Sequence, residues 1–94
     1  MADPLTQQEI EKALSDLDKW TLEDDKLKRS YTFSDFREAI SFITRIAFEA
    51  EDQIHHPEIF NVYNQVDIAL STHDAGGKVT EKDVALAKTI ESLF

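Results

Sequence analysis

The chain has 94 residues, no cysteine and a formal net charge of −9. A chain of this length supports one hydrophobic core, so we expect a single domain over residues 1–94. Its 19 Asp and Glu against 10 Lys and Arg disfavour direct binding to nucleic acid or to an anionic membrane. Disulfides, thiolate metal sites and a cysteine nucleophile are excluded. The amino terminus lacks a secretory pattern and no apolar run approaches the ~20 residues that span a bilayer, so we expect a cytoplasmic protein.

The first third of the sequence predicts a helix followed by a β-hairpin. Thr6 and Glu9 have the spacing of a capping box, and apolar residues at helical spacing continue from there to about Asp18. The segments 20–22 and 27–33 favour two strands, because β-forming residues there flank an Asp-Asp turn.

The longest helix is predicted over roughly residues 35–53, with Ser34 as its N-cap. Its apolar side chains form one broad stripe at helical spacing, made of Phe36, Ala39, Ile40, Ile43, Ile46, Ala47 and Ala50. Phe42 and Phe48 lie off this stripe. They either widen the buried face or contact another subunit.

The second half of the sequence predicts another hairpin and a final helix. Residues 59–63 and 66–72 favour strands, and the short polar junction between them indicates a tight antiparallel turn. After a loop at 74–77, Thr80 caps the last helix. The order is therefore α-β-β-α-β-β-α, which predicts an α+β fold: a four-stranded antiparallel sheet of two hairpins, covered on one face by three helices.

All three histidines lie in two short segments, at the predicted end of the long helix and at the end of the fourth strand. Histidine exchanges protons near neutral pH, so this clustering indicates a proton-transfer site. Pro57 disfavours helical backbone at His56, so the helix should end before it. Adjacent side chains in extended backbone point to opposite sides, which makes a zinc site on both His55 and His56 awkward. For either residue alone, helix capping or simple solvation is as well supported as catalysis.

Several nearby residues also have structural interpretations. Asp83 lies three residues after Thr80, which is the capping-box spacing. Glu51 lies one helical turn before His55 and is either a solvated charge or a residue that orients this histidine. His73 precedes a Gly-Gly pair whose backbone could approach a ligand closely.

Taken in order, these motifs closely resemble those of the pterin-4a-carbinolamine dehydratases. The resemblance extends from about Trp20 to Leu93. Its motifs are Glu51-x-x-x-His55-His56-Pro57, Phe60-Asn61-Val62-Tyr63-Asn64, Leu70-Ser71-Thr72-His73 and Asp83. One departure is the loop containing Lys78 and Val79, which is a residue longer than the family pattern.

The resemblance implies dehydration of a 4a-hydroxytetrahydropterin to the quinonoid dihydropterin and water, a step of tetrahydrobiopterin recycling after aromatic amino-acid hydroxylation. It implies histidine acid/base catalysis without a metal or an organic cofactor, the pterin being the substrate. The catalytic residues it implies are His55, His56, His73 and Asp83. The substrate-binding residues it implies are Glu51, Pro57, Ser71, Thr72 and Asp74.

The resemblance also carries expectations about partners. The family forms homodimers and homotetramers, and a link to an aromatic amino-acid hydroxylase pathway is implied. Some relatives act as dimerisation cofactors of a homeodomain transcription factor, so a non-catalytic interaction module is the main alternative. A role with a molybdopterin-related pterin is a third reading. A neighbouring phenylalanine hydroxylase gene would favour pterin recycling.

Overall fold

The computed structural model describes residues 3–94, and the order of its elements is the predicted one. The helices are α1 (Gln7–Leu14), α2 (Phe36–Gln53) and α3 (Glu81–Leu93), and a single 3₁₀ turn covers His73–Ala75. The strands are β1 (Thr21–Glu23), β2 (Lys26–Thr32), β3 (Glu58–Val62) and β4 (Gln65–Leu70). The fold is therefore α+β. Within residues 3–94, no helix combines the length and the apolarity needed to cross a membrane.

The sheet is antiparallel throughout, with the strand order β1-β2-β4-β3. Both predicted hairpins are present. The pairing that joins them runs between β2 and β4, from Leu27 opposite Leu70 to Thr32 opposite Gln65. This central pairing was not predicted, because contacts distant in sequence leave no local pattern.

The core lies between one face of the sheet and the helices α2 and α3. Alternate residues of the two central strands face it, since side chains alternate across a strand. The fully buried sheet residues are Leu27, Tyr31, Val66, Ile68 and Leu70, and the helices add Ala39, Phe42, Ile46, Ala50, Leu86, Ala87 and Ile90. Phe42 thus belongs to the core, whereas Phe48 is 70 % exposed. Two residues of the predicted stripe, Phe36 and Ile40, are 52 % and 39 % exposed.

Several element boundaries differ from the prediction, and the largest difference among the strands is that β4 ends at Leu70 rather than at Thr72. The first helix ends at Leu14 rather than near Asp18, because the chain then turns to bring Leu17 into the core. Trp20 is buried just before β1 rather than within it. The N-cap of α2 is Asp35, not Ser34, since the Asp35 carboxylate accepts the backbone N–H of Glu38 at 2.9 Å.

A polar cluster under the sheet ties α3 to β2. Glu91 Oε1 accepts hydrogen bonds from Trp20 Nε1 at 3.0 Å, from Tyr31 Oη at 2.5 Å and from Arg29 Nη1. Burial acts to raise the pKa of Glu91, but these hydrogen bonds outweigh it and hold the pKa below its usual range. Burial and the hydrogen bond to Glu91 raise the pKa of Tyr31 above its usual range.

Candidate active site

The carboxyl end of α2 places His55 in the interior. Ile54 adopts left-handed backbone, with φ 51° and ψ 44°. The N–H of His55 then donates to the carbonyl of Ala50 and the N–H of Ile54 to that of Glu51, both at 3.1 Å. These two bonds form a Schellman motif, which reverses the chain. The helix therefore ends before His56, as predicted, and His55 is left only 8 % exposed.

The imidazole of His55 contacts a carboxylate that is entirely buried. His55 Nε2 lies 2.5 Å from Asp83 Oδ1, and Asp83 has no exposed surface. The other oxygen, Asp83 Oδ2, accepts the hydroxyl of Thr72 at 2.8 Å and the backbone N–H of Thr80 at 2.9 Å. The capping-box role predicted for Asp83 is confirmed, and one carboxylate both caps α3 and holds the histidine.

With an ionised carboxylate at Asp83, the hydrogen bonds around it have one consistent direction. An ionised carboxylate only accepts, so His55 Nε2 and the Thr72 hydroxyl must both donate to it. Thr72 Oγ1 also lies 2.6 Å from Thr80 Oγ1, and with its own proton committed it accepts there. The Thr80 hydroxyl in turn accepts the N–H of Lys82 at 3.2 Å. In this arrangement a neutral His55 carries its proton on Nε2 and its lone pair on Nδ1.

His56 pairs with a different carboxylate from the one that holds His55. Its Nε2 lies 2.8 Å from Glu51 Oε1, and the two side chains are 65 % and 78 % exposed. The Glu51 carboxylate therefore pairs with His56 and not with His55, contrary to the orientation that helical spacing suggested. The cause is the reversal at Ile54, which takes His55 off the helical path.

His73 lies across a cavity from the end of α2. It begins the 3₁₀ turn that follows β4, and a Thr72–Lys78 bridge closes this loop, with left-handed backbone at Gly76 and Gly77. The cavity has a volume of about 230 Å³. Its lining residues are Ile54, His55, His56, Ser71, Thr72, His73, Asp74 and Lys82.

Most of the predicted site residues are brought together at this cavity, and two are not. Asp83 lies behind it through its bond to His55. Glu51 and Pro57 instead line an adjoining apolar groove of about 570 Å³ beside Phe48, and His56 borders both hollows. Ile54 and Lys82 were missed by sequence reasoning. Neither carries a local signal, because an isolated isoleucine or a helical lysine is ordinary in any sequence.

Another hollow, of about 560 Å³, lies on the open face of the sheet. Two of its charged side chains, Lys28 and Glu23, form an ion pair at 3.5 Å, and no histidine lines it. Within the described part of the chain, no three His, Asp or Glu side chains are grouped to hold a metal ion. The smaller histidine-lined cavity is therefore the candidate site.

Comparison with known proteins identifies the protein family to which the chain is similar. Residues 3–93 match the family model described as pterin 4 alpha carbinolamine dehydratase. A relative from Opitutus terrae is 54 % identical over 89 residues, covering 95 % of this chain and 92 % of its own. A relative from Rhizorhabdus wittichii is 50 % identical over 93 residues, covering 97 % of this chain and 95 % of its own. Each is provisionally named pterin-4-alpha-carbinolamine dehydratase.

Two solved structures are similar. One is described as the transcriptional coactivator/pterin dehydratase from Brucella melitensis; it is 40 % identical with a TM-score of 0.91, covering 96 % of this chain and 97 % of the other. The other is described as a pterin dehydratase-like protein identified as a RuBisCO assembly factor in the alpha-carboxysome. It is 21 % identical with a TM-score of 0.64, covering 79 % of this chain and 84 % of the other. The second likeness shows the fold alone. The chain belongs to the pterin-4a-carbinolamine dehydratase family.

Proposed function

We propose that this protein dehydrates a 4a-hydroxytetrahydropterin to the quinonoid dihydropterin, as a step of pterin recycling. The observation that carries the proposal is the single cavity lined by His55, His56 and His73, with His55 held by the buried Asp83. Family membership supports the choice of substrate class.

The chemistry needs two proton transfers and no change of oxidation state. The C4a–O bond breaks, an acid protonates the departing hydroxyl to water, and a base removes a proton from the adjacent ring nitrogen. Positioned acid and base groups contribute about 10²–10⁴-fold each. We assign the base to His55, because its Nε2–H is held by Asp83 and the lone pair is then on Nδ1. The negative charge of Asp83 stabilises the imidazolium that forms, and His73 or His56 then supplies the proton to the leaving oxygen.

The proposed site uses only side chains of this chain. Ser71, Thr72 and Asp74 supply polar contacts to the pterin from the loop after β4. Glu51 acts through His56, with which it pairs at 2.8 Å, and Pro57 holds His56 in extended backbone. No metal or organic cofactor has a part in the steps written above.

Stopped-flow dehydration of a chemically prepared 4a-hydroxytetrahydropterin tests the proposal. We expect the wild-type protein to accelerate water loss well beyond the buffer rate, and the His55→Ala/His73→Ala double variant to lose this acceleration. Glu81→Gln, an exposed change on the first turn of α3 and outside the cavity lining, serves as the matched control. Wild-type rates equal to buffer, or a fully active double variant, would contradict the proposal.

A non-catalytic interaction module is the second candidate. The observation that favours it is the description of the similar Brucella melitensis protein as both a transcriptional coactivator and a pterin dehydratase. In this protein α2 exposes Phe36 and Phe48, at 52 % and 70 %, which suits a helical partner or a second copy of the chain. Light scattering of the wild type and of Phe48→Ser tests self-association. A module of this kind would keep its partner after loss of His55 and His73, whereas the dehydratase activity would not survive.

A further inference from the structure

Ile54 combines two features that folding alone disfavours. Its backbone is left-handed, a region that glycine enters freely and asparagine tolerates, but that is an outlier for a β-branched residue. Its side chain is 80 % exposed, more than any other large apolar side chain in the described part of the chain. The isoleucine therefore adds strain at the end of α2 and gains little from burial.

The turn at the end of α2 does not require this side chain. The Schellman bonds are made by the backbone N–H groups of Ile54 and His55, and they form with any residue that adopts left-handed backbone. Glycine or asparagine at position 54 would direct His55 towards Asp83 equally well and with less strain. The reason for an isoleucine must therefore lie in what its side chain contacts.

Ile54 is one of the residues that line the histidine cavity, and the rest of that lining is polar or charged. Its other residues are His55, His56, Ser71, Thr72, His73, Asp74 and Lys82. A flat bicyclic ligand needs apolar surface for its ring face, and binding sites normally provide it together with a few polar groups. Among the described lining residues, Ile54 is the one aliphatic side chain that can meet this need.

We propose that Ile54 is a substrate-binding residue whose side chain packs against the ring face of the bound pterin. The proposal rests on the function proposed above and adds a residue that the family motifs quoted above do not include. Binding covers the exposed apolar surface, so the cost of placing an isoleucine in left-handed backbone is offset only when the site is filled. Stability of the free protein and affinity for the pterin should therefore change in opposite directions at this position.

The test compares Ile54→Asn with Ile54→Leu and with a matched control, Tyr63→Asn. Tyr63 is also left-handed, with φ 49°, and 63 % exposed, but it lies in the β3–β4 turn and outside the cavity lining. Thermal unfolding gives Tm. Calorimetric titration with a stable 7,8-dihydropterin gives Kd, and stopped-flow dehydration gives KM and kcat.

For Ile54→Asn we expect Tm to rise by about 4–8 °C, since relief of a strained residue is a shift of this order in a domain of this size. We expect Kd and KM to increase about 5–30-fold, the range that follows from losing one apolar contact, with kcat little changed. Ile54→Leu should keep Kd and KM near the wild-type values. Tyr63→Asn should raise Tm and leave both constants unchanged.

An Ile54→Asn protein with wild-type Kd and KM would overturn the inference. Failure of the proposed function is a separate outcome. If the wild type binds the dihydropterin in an Ile54-dependent way but does not accelerate dehydration, the inference stands and the dehydratase proposal fails. If the wild type turns over the pterin and the Ile54 variants match it, the dehydratase proposal stands and the inference fails. If it neither binds nor turns over the pterin, both fail.

Discussion

The substitution Asp83→Asn separates the structural role of the buried carboxylate from its chemical role. The asparagine is nearly the same size, and its oxygen can still accept from the Thr72 hydroxyl and the Thr80 N–H, which lie 2.8 and 2.9 Å from Asp83 Oδ2. Its amide nitrogen must then face His55 Nε2, which Asp83 Oδ1 now accepts at 2.5 Å. Since an NH₂ group only donates, His55 would be forced to accept at Nε2 and to carry its proton on Nδ1.

The size of each effect follows from these contacts. Hydrogen bonds to charged groups contribute about 1.5–3 kcal/mol and neutral ones about 0.5–1.5, so neutralising Asp83 should cost about 2 kcal/mol in the free energy of unfolding. In a domain of this size this lowers Tm by roughly 8–16 °C. The wrong tautomer removes the lone pair from Nδ1, so kcat should fall about 10²–10⁴-fold while the fold is retained. Asp83→Ala, which leaves three donors without an acceptor, should cost about 3–5 kcal/mol.

The measurements are thermal unfolding followed by circular dichroism, and kcat from stopped-flow dehydration at a temperature well below both midpoints. Glu51→Gln is the matched control for stability, because it neutralises a carboxylate whose histidine pair is exposed and should change the free energy of unfolding by no more than ~1 kcal/mol. An Asp83→Asn protein that is folded and has wild-type kcat would refute the tautomer argument. An Asp83→Asn protein whose Tm matches that of the Glu51→Gln protein would refute the stability argument.

Three further outcomes are expected. Phe42→Ala should lower the free energy of unfolding by about 3–5 kcal/mol in urea titration because Phe42 is fully buried, and Phe48→Ala by less than ~0.5. The lowered pKa of Glu91 means that its contribution to stability is present above the ordinary value near 4.3 and lost as pH falls below it, so Glu91→Gln should flatten the acid limb of a Tm–pH curve. The raised pKa of Tyr31 means that its contribution is present below about pH 10 and lost above it, so Tyr31→Phe should flatten the alkaline limb. Equal losses for the two phenylalanines, or unaltered limbs, would contradict these arguments.

The fold was predictable where the signal is local. Capping residues, helical spacing and the two-residue turns gave the element order and both hairpins. Ser34 and Asp35 are both good N-cap residues, so propensity could not choose between them, and the carboxylate bond to the Glu38 N–H decided it. The predicted buried face of α2 was wrong at Phe36 and Ile40, because a wide apolar stripe fits several rotations of a helix and only packing against the sheet selects one.

The sequence predicted which residues belong to the candidate site better than it predicted the contacts between them. The two histidine segments and the spacing of Asp83 pointed to side chains that the fold places together. The partner of Glu51 could not be foreseen, because it depends on left-handed backbone at Ile54 that no propensity rule assigns to a β-branched residue. The buried hydroxyl chain through Thr72 depends on the central β2–β4 pairing, which carries no local signal.

The strand order has a consequence for how the chain is made. β2 can pair with β1 as a hairpin early in synthesis. The backbone hydrogen bonds on its other edge form only with β4, which begins at Gln65. At ~5–20 residues per second that edge stays open for seconds, and an open edge invites pairing with other chains. Lys26, Lys28 and Arg29 lie on this strand, and cations on an edge oppose such pairing. The central strand β2 therefore carries the cationic side chains typical of an edge strand, which it is until β4 has been synthesised.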